Sequence, residues 1–264
     1  MKDIAYLGPE RLEKMDAYLP SDAFPGPHPA ILLIHGGGWR INDKADPREV
    51  NIGTHLAKKG YAVFSINYLL NEGYRDENGK MILTKIAWPQ NFYDCKSGLR
   101  FLCAKAAEYN INPDRIATMG GSAGGHLAML VGSTILHEAF NREGLYTDQS
   151  NEVSCILTLY GEFDLRARPT SPMRGRTAEE TARNEHDASP VNWINQKTPP
   201  MFIAHGSADT LIPVERSRLL AQHLERMGVE YWYVEISGAP HTFDLHPEQM
   251  NLEPTILSFL QKHL

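Results

Sequence analysis

Short apolar segments recur along the chain, and glycine, proline or charged residues bound them. Each segment is four to six residues long, and most of its positions are apolar rather than alternately apolar and polar. This pattern is typical of strands that are buried on both faces of a sheet. It predicts six such strands, at residues 30–34, 61–66, 115–119, 155–160, 201–204 and 231–236.

Longer stretches between these segments carry apolar residues at three- and four-residue spacing, which indicates helices. The predicted helices cover residues 50–59, 91–109, 123–136, 213–227 and 253–263. Because strands and helices alternate, the sequence predicts an α/β fold with a mostly parallel central sheet and helices on both faces. Two apolar stretches near the N-terminus, at residues 4–7 and 12–19, predict an antiparallel hairpin added at one edge.

Two stretches interrupt this alternation. Residues 69–89 are polar and contain an Asn78-Gly79 turn signal, and residues 162–200 contain five prolines without a sustained period. Loops of this length are uncommon in a compact domain unless they serve as lids or binding loops. No linker or internal repeat divides the chain. We therefore expect one domain over residues 1–264, with lid or binding-loop insertions at about 69–89 and 162–200.

Charge and hydrophobicity exclude several kinds of partner. The chain has 26 Lys and Arg against 32 Asp and Glu, with the two signs interspersed, so no surface for nucleic acid is expected. The longest apolar run, residues 30–34, is too short to cross a membrane. The N-terminus lacks the apolar core of a signal peptide. The localisation stays open: cytoplasmic if the chain is complete, secreted or periplasmic if a signal peptide has been removed.

No metal or nucleotide site is predicted. The three cysteines lack the paired spacing of a zinc site or a disulfide framework. Whole strand–helix units separate His35, His205 and His241 along the chain. Neither of the common glycine-rich phosphate-binding motifs is present.

The strongest chemical signal is the pattern GGSAG at residues 120–124, centred on Ser122. It lies between a predicted strand and a predicted helix, the context of a nucleophile elbow. So tight a turn requires residues nearly without side chains two positions before and after the serine, and it exposes the serine hydroxyl above the sheet. The N-terminus of the following helix favours developing negative charge. Ser122 is therefore the candidate nucleophile.

A second glycine-rich motif, HGGGW at residues 35–39, follows the predicted strand 30–34. A glycine run lets the backbone approach a substrate closely and turn its N–H groups inward. Together with the N–H of Ala123, such donors would form an oxyanion hole, in which each donor contributes about 3 kcal/mol in known enzymes. We expect His35 to be structural, because a general base here would be redundant.

A catalytic serine requires a histidine base and an acid that orients it, and in this architecture the acid precedes the histidine along the chain. Asp209 follows the predicted strand 201–204, and His241 follows the predicted strand 231–236. Both therefore leave the carboxyl ends of strands, where open α/β sheets place their sites. We predict Asp209 as the acid and His241 as the base.

Other residues compete for these two roles. Asp164 lies one strand earlier and could serve as the acid, whereas Asp187 lies in the irregular segment and suits a cap or turn. We expect His126 to pack or bond locally in the helix after the elbow. His205 is expected to shape the loop of the predicted acid, and His246 lies past the short loop of the predicted base.

With these residues in place, the chain resembles the α/β-hydrolase superfamily, and within it serine esterases with an HGGG-type oxyanion loop. Its motifs look most like bacterial feruloyl and acetyl-xylan esterases, with kynurenine formamidases as near relatives. The resemblance runs from about residue 12 to the C-terminus and implies a catalytic triad, an oxyanion hole and no cofactor. The implied triad is Ser122, Asp209 and His241, and the implied oxyanion donors are in the backbone of Gly37, Gly38, Trp39 and Ala123.

The favoured function is hydrolysis of a carboxylic ester through an acyl-enzyme. The expected substrates are short acyl or hydroxycinnamoyl (feruloyl-type) esters, as small molecules or linked to plant polysaccharides. One alternative is hydrolysis of an amide or formamide by the same triad. Another is a non-catalytic binding protein with a hydrolase fold, which the retained serine, histidine and oxyanion glycines disfavour.

Three tryptophans near the predicted site have two interpretations. Trp39 follows the oxyanion motif, Trp88 ends the first insertion and Trp193 ends the second, so each could present an aromatic face at the rim. The competing interpretation is core packing, the usual fate of a large apolar side chain. If residues 162–200 form a lid with such rings, the site would favour planar acyl groups or sugar rings over long alkyl chains.

Overall fold

The predicted alternation of strands and helices builds a seven-stranded sheet. The computed structural model describes residues 1–79, 81–167 and 171–264. Its strands are β1 (Met15–Tyr18), β2 (His28–Ile34), β3 (Ala62–Ile66), β4 (Glu72–Arg75), β5 (Met81–Lys85), β6 (Ile111–Gly121), β7 (Cys155–Leu159), β8 (Met201–Gly206) and β9 (Tyr231–Ile236). The main sheet has the order β1-β3-β2-β6-β7-β8-β9. Only β1 is antiparallel to its neighbour in this sheet, so the predicted fold class is confirmed.

Helices cover both faces of this sheet. They are α1 (Pro47–Ala57), α2 (Gln90–Ala104), α3 (Ala123–Ser133), α4 (Glu138–Asn141), α5 (Ala178–Asp187), α6 (Glu215–Met227) and α7 (Glu253–His263). Leu32 of β2 belongs to the core that includes α2, α3 and α6, whereas Leu33 belongs to the core that includes α1 and α7. None of the helices in the described ranges has the length and apolar character needed to cross a membrane.

The N-terminal edge differs from the prediction. β1 lies within the predicted stretch 12–19, but residues 4–7 form no strand and contribute a single bridge between Ile4 and Met15. The chain turns directly after that bridge, because the Tyr6 N–H donates to the Ile4 carbonyl. The Tyr6 side chain is fully buried. The apolar residues of this stretch therefore enter the core from a turn rather than from an edge strand.

The first interruption is a hairpin rather than an irregular loop. β4 and β5 pair antiparallel, and Gly79 in the turn between them has a φ of 75°. β4 is exposed along its whole length, so its sequence lacks the alternation that marks a half-buried strand. Only the Asn78-Gly79 pair indicates the hairpin in the sequence.

The second interruption contains a helix. The Thr177 hydroxyl caps α5 by accepting a hydrogen bond from the N–H of Glu180 at 3.1 Å. None of the residues of α5 is buried. The only apolar residues of α5 are Ala178 and Ala182, so the helix has no apolar stripe, which explains why the sequence does not reveal it. Residues 168–170 of this predicted insertion lie outside the described residues.

Candidate active site

Ser122 occupies a sharp turn between β6 and α3. Its φ of 54° and ψ of −122° are strained for a residue with a side chain. A Cβ on Gly120 would lie 2.4 Å from the backbone of Gly124, and a Cβ on Gly124 would lie 2.0 Å from the carbonyl oxygen of Ile34. Glycine is therefore required at both positions. The local geometry is that of a nucleophile elbow.

Three side chains form one hydrogen-bonded chain at the carboxyl end of the sheet. His241 Nε2 lies 3.0 Å from Ser122 Oγ, and His241 Nδ1 lies 2.6 Å from Asp209 Oδ2. Asp209 follows β8 and His241 follows β9, so two adjacent parallel strands deliver them to the same place. The Asp209 side chain is fully buried and that of His241 is 10% exposed. The Asp209 end of this hydrogen-bonded series is thus shielded from solvent.

The carboxylate of Asp209 is satisfied at both oxygens. Oδ1 accepts hydrogen bonds from the N–H groups of Leu211 at 2.8 Å and Ile212 at 2.9 Å. Oδ2 faces the imidazoles of His205 and His241. Burial by itself would raise the pKa of this carboxyl, but hydrogen bonds from His205, His241 and the Ile212 N–H hold the pKa well below its ordinary value. Asp209 is therefore an ionised acceptor.

The two competing acids make other contacts. Asp164 forms an ion pair with Arg166 at 2.8 Å, and Asp187 lies 3.1 Å from His186 Nδ1. Within the described ranges, Asp209 is the acid that is hydrogen-bonded to His241. The structure thus brings together the residues of the favoured prediction and not those of its rivals.

Other histidines are held away from the serine. His35 is buried, which lowers its pKa, and its Nδ1 lies 2.8 Å from the Gly36 carbonyl. His246 Nε2 lies 2.8 Å from a carboxylate oxygen of Glu253 on α7. In the part of the chain that the structure describes, no group of three or more His, Cys, Asp or Glu is arranged to hold a metal ion.

The HGGGW loop has an unusual backbone. The φ angles of Gly37, Gly38 and Trp39 are 100°, 60° and 58°, all in the left-handed region that favours glycine. No acceptor among the described residues receives a hydrogen bond from the N–H of Gly37, Gly38 or Ala123. Ala123 follows Ser122 as the first residue of α3, where N–H groups have no partner within the helix. These donors are available to an oxygen atom of a ligand.

The oxyanion loop, Ser122 and His241 line one cleft of about 770 Å³. This volume is in the range of sites that bind small molecules. None of the described residues in 69–89 or 162–200 lines the cleft. The lid role predicted for these insertions therefore receives no support from their described residues.

Tyr160 and Arg48, which belong to no recognised motif, hold the loop that carries His241. The Tyr160 hydroxyl donates to the Phe243 carbonyl at 2.7 Å, and Arg48 Nε donates to the same oxygen at 2.9 Å. The ring of Tyr160 also meets the His241 imidazole, with centroids 4.7 Å apart. Its position directly after β7, at the carboxyl end of a strand, is a signal that could have drawn attention to Tyr160. Arg48, in the first turn of α1, carries no such signal.

Two of the three tryptophans are packing residues. Trp88 is buried and stacks on Phe92, with ring centroids 5.8 Å apart. The Trp193 indole N–H donates to the Asp187 carbonyl at 2.8 Å, and its ring packs against Phe140. Neither tryptophan lines the cleft. For both, the core-packing interpretation is the one that the structure supports.

Trp39 borders the cleft but is only 3% exposed. Its indole N–H donates to His126 Nδ1 at 3.2 Å, so the proton of the His126 ring resides on Nε2. That nitrogen donates in turn to the Ala188 carbonyl at 2.6 Å. His126 is fully buried against Trp39, in line with the packing alternative. Its ring hydrogen bonds are not local to α3, because they link the oxyanion loop to the segment 162–200.

Comparison with known proteins adds independent findings. The BD-FAE family model matches residues 15–224, most of the chain. Esterase LipC of Mycobacterium tuberculosis is 28% identical over 251 residues, covering 90% of this chain and 59% of that protein. The chain thus spans somewhat more than half the length of the curated relatives it matches.

Solved structures resemble the chain over its whole length. A truncated form of a carbohydrate esterase from gut microbiota has a TM-score of 0.84 at 23% identity, covering 100% of this chain and 95% of that one. The butyrate-bound thermophilic esterase Est2 of the Planctomycetes species Thermogutta terrifontis has a TM-score of 0.75 at 24% identity. The match covers 99% of this chain and 91% of that one. At these identities the likeness establishes the fold.

Proposed function

Since the chain belongs to the BD-FAE family and has the α/β-hydrolase fold, we propose that it is a serine carboxylesterase. The observation that carries the proposal is the series of hydrogen bonds from Ser122 through His241 to Asp209. Beside it lie the N–H groups of Gly37 and Gly38, which have no acceptor among the described residues. The names of the relatives, which are esterases, support the same class of reaction.

In the first half-reaction, Ser122 Oγ attacks the carbonyl carbon of the ester while His241 Nε2 accepts the hydroxyl proton. Backbone N–H groups would stabilise the negative charge on the carbonyl oxygen, namely those of Gly37, Gly38, Trp39 and Ala123. When the tetrahedral intermediate collapses, the bond to the leaving oxygen breaks, and His241 transfers its proton to that oxygen. The alcohol leaves, and an ester joins Ser122 to the acyl group.

In the second half-reaction, water attacks the acyl-enzyme while His241 Nε2 accepts a proton from it. Collapse of the second intermediate breaks the bond to Ser122 Oγ, which takes the proton back, and the carboxylic acid leaves. Asp209 stays ionised throughout, because its role is to orient the imidazole and stabilise the imidazolium.

Two alanine variants of the oxyanion loop form a matched test. A Cβ at Gly37 would lie 2.1 Å from the Ile41 carbonyl oxygen, whereas a Cβ at Gly38 would meet nothing within 4 Å. We expect Gly37→Ala to displace the loop and lower kcat/KM for p-nitrophenyl acetate by about 100-fold, the cost of losing one oxyanion donor. Gly38→Ala should cost only ~1–2 kcal/mol of backbone strain and leave activity within about tenfold. Thermal unfolding would monitor the fold, and equal losses in both variants would contradict this account.

The polar side chains that line part of the site support an ester substrate with a polar alcohol part. The catalytic cleft adjoins a second cavity of about 610 Å³, and the two share Pro47, Arg48 and Thr242 as common walls. Polar side chains line the second cavity: Asn51 and Asp244 bond to each other, His246 bonds to Glu253, and Glu248 and Gln249 are exposed. A sugar ring, with several hydroxyl groups, matches such a lining. That a structural neighbour is titled a carbohydrate esterase supports this choice.

The acyl part meets a different surface. Ile41 and Leu211 line the catalytic cleft but not the second cavity, and they are 51% and 71% exposed. A short acyl or planar hydroxycinnamoyl group would cover part of this apolar surface. We therefore propose short acyl or hydroxycinnamoyl esters of sugar hydroxyls, as found on plant polysaccharides, as the substrates.

The double variant Glu248→Ala, Gln249→Ala tests the alcohol part. Both side chains are exposed in the second cavity, and neither belongs to the triad or to the oxyanion loop. Their loss should therefore spare the acyl-transfer steps. We expect KM for an acetylated xylo-oligosaccharide to rise about tenfold, the effect of two hydrogen bonds, with little change for p-nitrophenyl acetate.

A matched control removes the same pair of side chains from α6, where Gln222 and Glu225 are exposed and line neither cavity. That double variant should behave as wild type on both esters. Equal effects of the cavity variant on the two esters would contradict the sugar assignment. Faster cleavage of long-chain p-nitrophenyl palmitate than of acetate would contradict the acyl assignment.

A further inference from the structure

His205 lies at the buried end of the hydrogen-bonded series that joins Ser122, His241 and Asp209. Its side chain is fully buried, and its Nε2 lies 3.0 Å from Asp209 Oδ2. This is the same oxygen that faces His241 Nδ1. The His205 Nε2 also lies 2.9 Å from the Ile212 carbonyl. One carboxylate oxygen is thus shared between two imidazoles.

The surroundings of His205 determine which of its nitrogens carries the proton. Both contacts of Nε2 are to oxygen acceptors, those of Asp209 and Ile212, so Nε2 is the donor. On the other side of the ring, Nδ1 lies 2.6 Å from Ser217 Oγ on α6, whose hydroxyl can donate to it. A neutral His205 therefore satisfies every contact and donates to the acid.

We propose that His205 is a positioning residue of the esterase reaction, which holds the Asp209 carboxylate and withdraws negative charge from Oδ2. This inference rests on the proposed function of the triad. An N–H aimed at Oδ2 weakens the attraction between the carboxylate and the protonated imidazole of His241. Removing this N–H would strengthen that attraction and so favour the protonated imidazole of His241, which cannot accept the serine proton.

Other charged groups near this network contact different atoms. Glu235 is the register partner of His205 on β9, and Arg218 of α6 binds it through both carboxylate oxygens. The ring of Tyr160 contacts the catalytic imidazole, and the Arg48 guanidinium lies over the Tyr160 ring. Within the described ranges, side-chain hydrogen bonds to Oδ2 of the acid come from the two imidazoles alone.

Three substitutions of His205 separate the loss of the donor from the loss of the ring. Phe removes both nitrogens, Asn carries an amide near Nδ1 that does not reach Asp209, and Gln carries an amide N–H near the place of Nε2. The readout is the acid limb of the pH profile, the rise of kcat/KM for p-nitrophenyl acetate with increasing pH. We expect His205→Phe and His205→Asn to move this limb to a higher pH by about 0.5–1 pH unit. His205→Gln should keep the limb within roughly 0.2 unit of wild type. A destabilised variant still reports the position of the limb if its folded fraction, followed by circular dichroism, is the same at every pH of the profile.

The control is Glu235→Gln, which removes the charge at the register partner of His205 without touching Asp209 and should leave the limb in place. An unchanged limb in both the Phe and Asn variants, or an equal shift in the Gln variant, would overturn the proposal. Absence of ester hydrolysis in the wild type would overturn the proposed function instead.

A measurement on the unmodified protein covers the case in which neither the Phe nor the Asn variant folds. Nitrogen-15 NMR of histidine-labelled enzyme, assigned by the signals lost in His205→Gln, should show that the ring proton of His205 resides on Nε2 at the pH of the activity assays. A proton on Nδ1 in place of Nε2 would overturn the proposal, because Nε2 could then not donate to Asp209.

Discussion

Ser122→Ala is expected to lower kcat/KM for p-nitrophenyl acetate by about 10⁴-fold or more, because the triad acts as a unit and the nucleophile has no substitute. The same change should abolish labelling by a fluorophosphonate probe. The fold should remain, since the hydroxyl extends from the elbow toward His241 and alanine fits the same backbone as well as serine does. Hydrolysis rate, labelling and thermal unfolding together measure these three outcomes.

Ser133→Ala is the matched control for this variant. Ser133 lies ten residues along α3 from Ala123, and its hydroxyl donates to the Met129 carbonyl at 2.7 Å. It does not line the cleft. This variant should keep its activity and its labelling. Labelling that persists in Ser122→Ala would show that another side chain is the nucleophile.

Asp209→Asn is expected to lower turnover by about 10⁴-fold while the geometry is retained. The amide nitrogen would face His241 Nδ1 as a donor where the carboxylate oxygen is now an acceptor. Nδ1 would then lose its proton, Nε2 would carry it, and the imidazole could no longer accept the proton of Ser122. Steady-state kinetics at the pH optimum of the wild type would measure the loss.

Asp164→Asn serves as the comparison, because Asp164 is the acid one strand earlier. It would lose an ion pair with Arg166, whose side chain is 45% exposed, and such pairs stabilise proteins little. Its turnover should stay within about threefold of wild type, as expected for a surface contact. A larger loss in Asp164→Asn than in Asp209→Asn would transfer the acid role to the earlier strand.

Strands buried on both faces were predictable because burial on both faces requires a nearly continuous run of apolar residues. Every residue from Ala30 to Ile34 is fully buried, and every one is apolar. β4 and α5 show the opposite case. β4 is exposed along its whole length and α5 has no buried residue, so neither has the apolar period by which such elements are found. Exposed elements are specified by turns and caps, such as Gly79 and Thr177, and these signals are short.

The triad was predictable for a different reason, which is order along the chain. Parallel strands bring their carboxyl ends to one edge, so residues that follow β6, β8 and β9 must converge there. Contacts between side chains that are distant in the sequence do not follow from this order. Arg48 and Phe243 are separated by 195 positions, and nothing in the sequence near either residue points to the other. The role of His205 is hidden in the same way, because it depends on which oxygen of Asp209 it meets.

The link from Trp39 through His126 to Ala188 constrains how this protein can vary. Its last acceptor is a backbone carbonyl, which any residue at position 188 could supply. A substitution of Ala188 itself therefore leaves the support of the oxyanion loop intact, provided that the new side chain is small enough for this buried position. An insertion or deletion just before Ala188 would instead move the carbonyl away from His126. The number of residues just before Ala188 is thus under tighter constraint than the identity of residue 188, and a loop exchanged from a homologue must present a carbonyl at the same place.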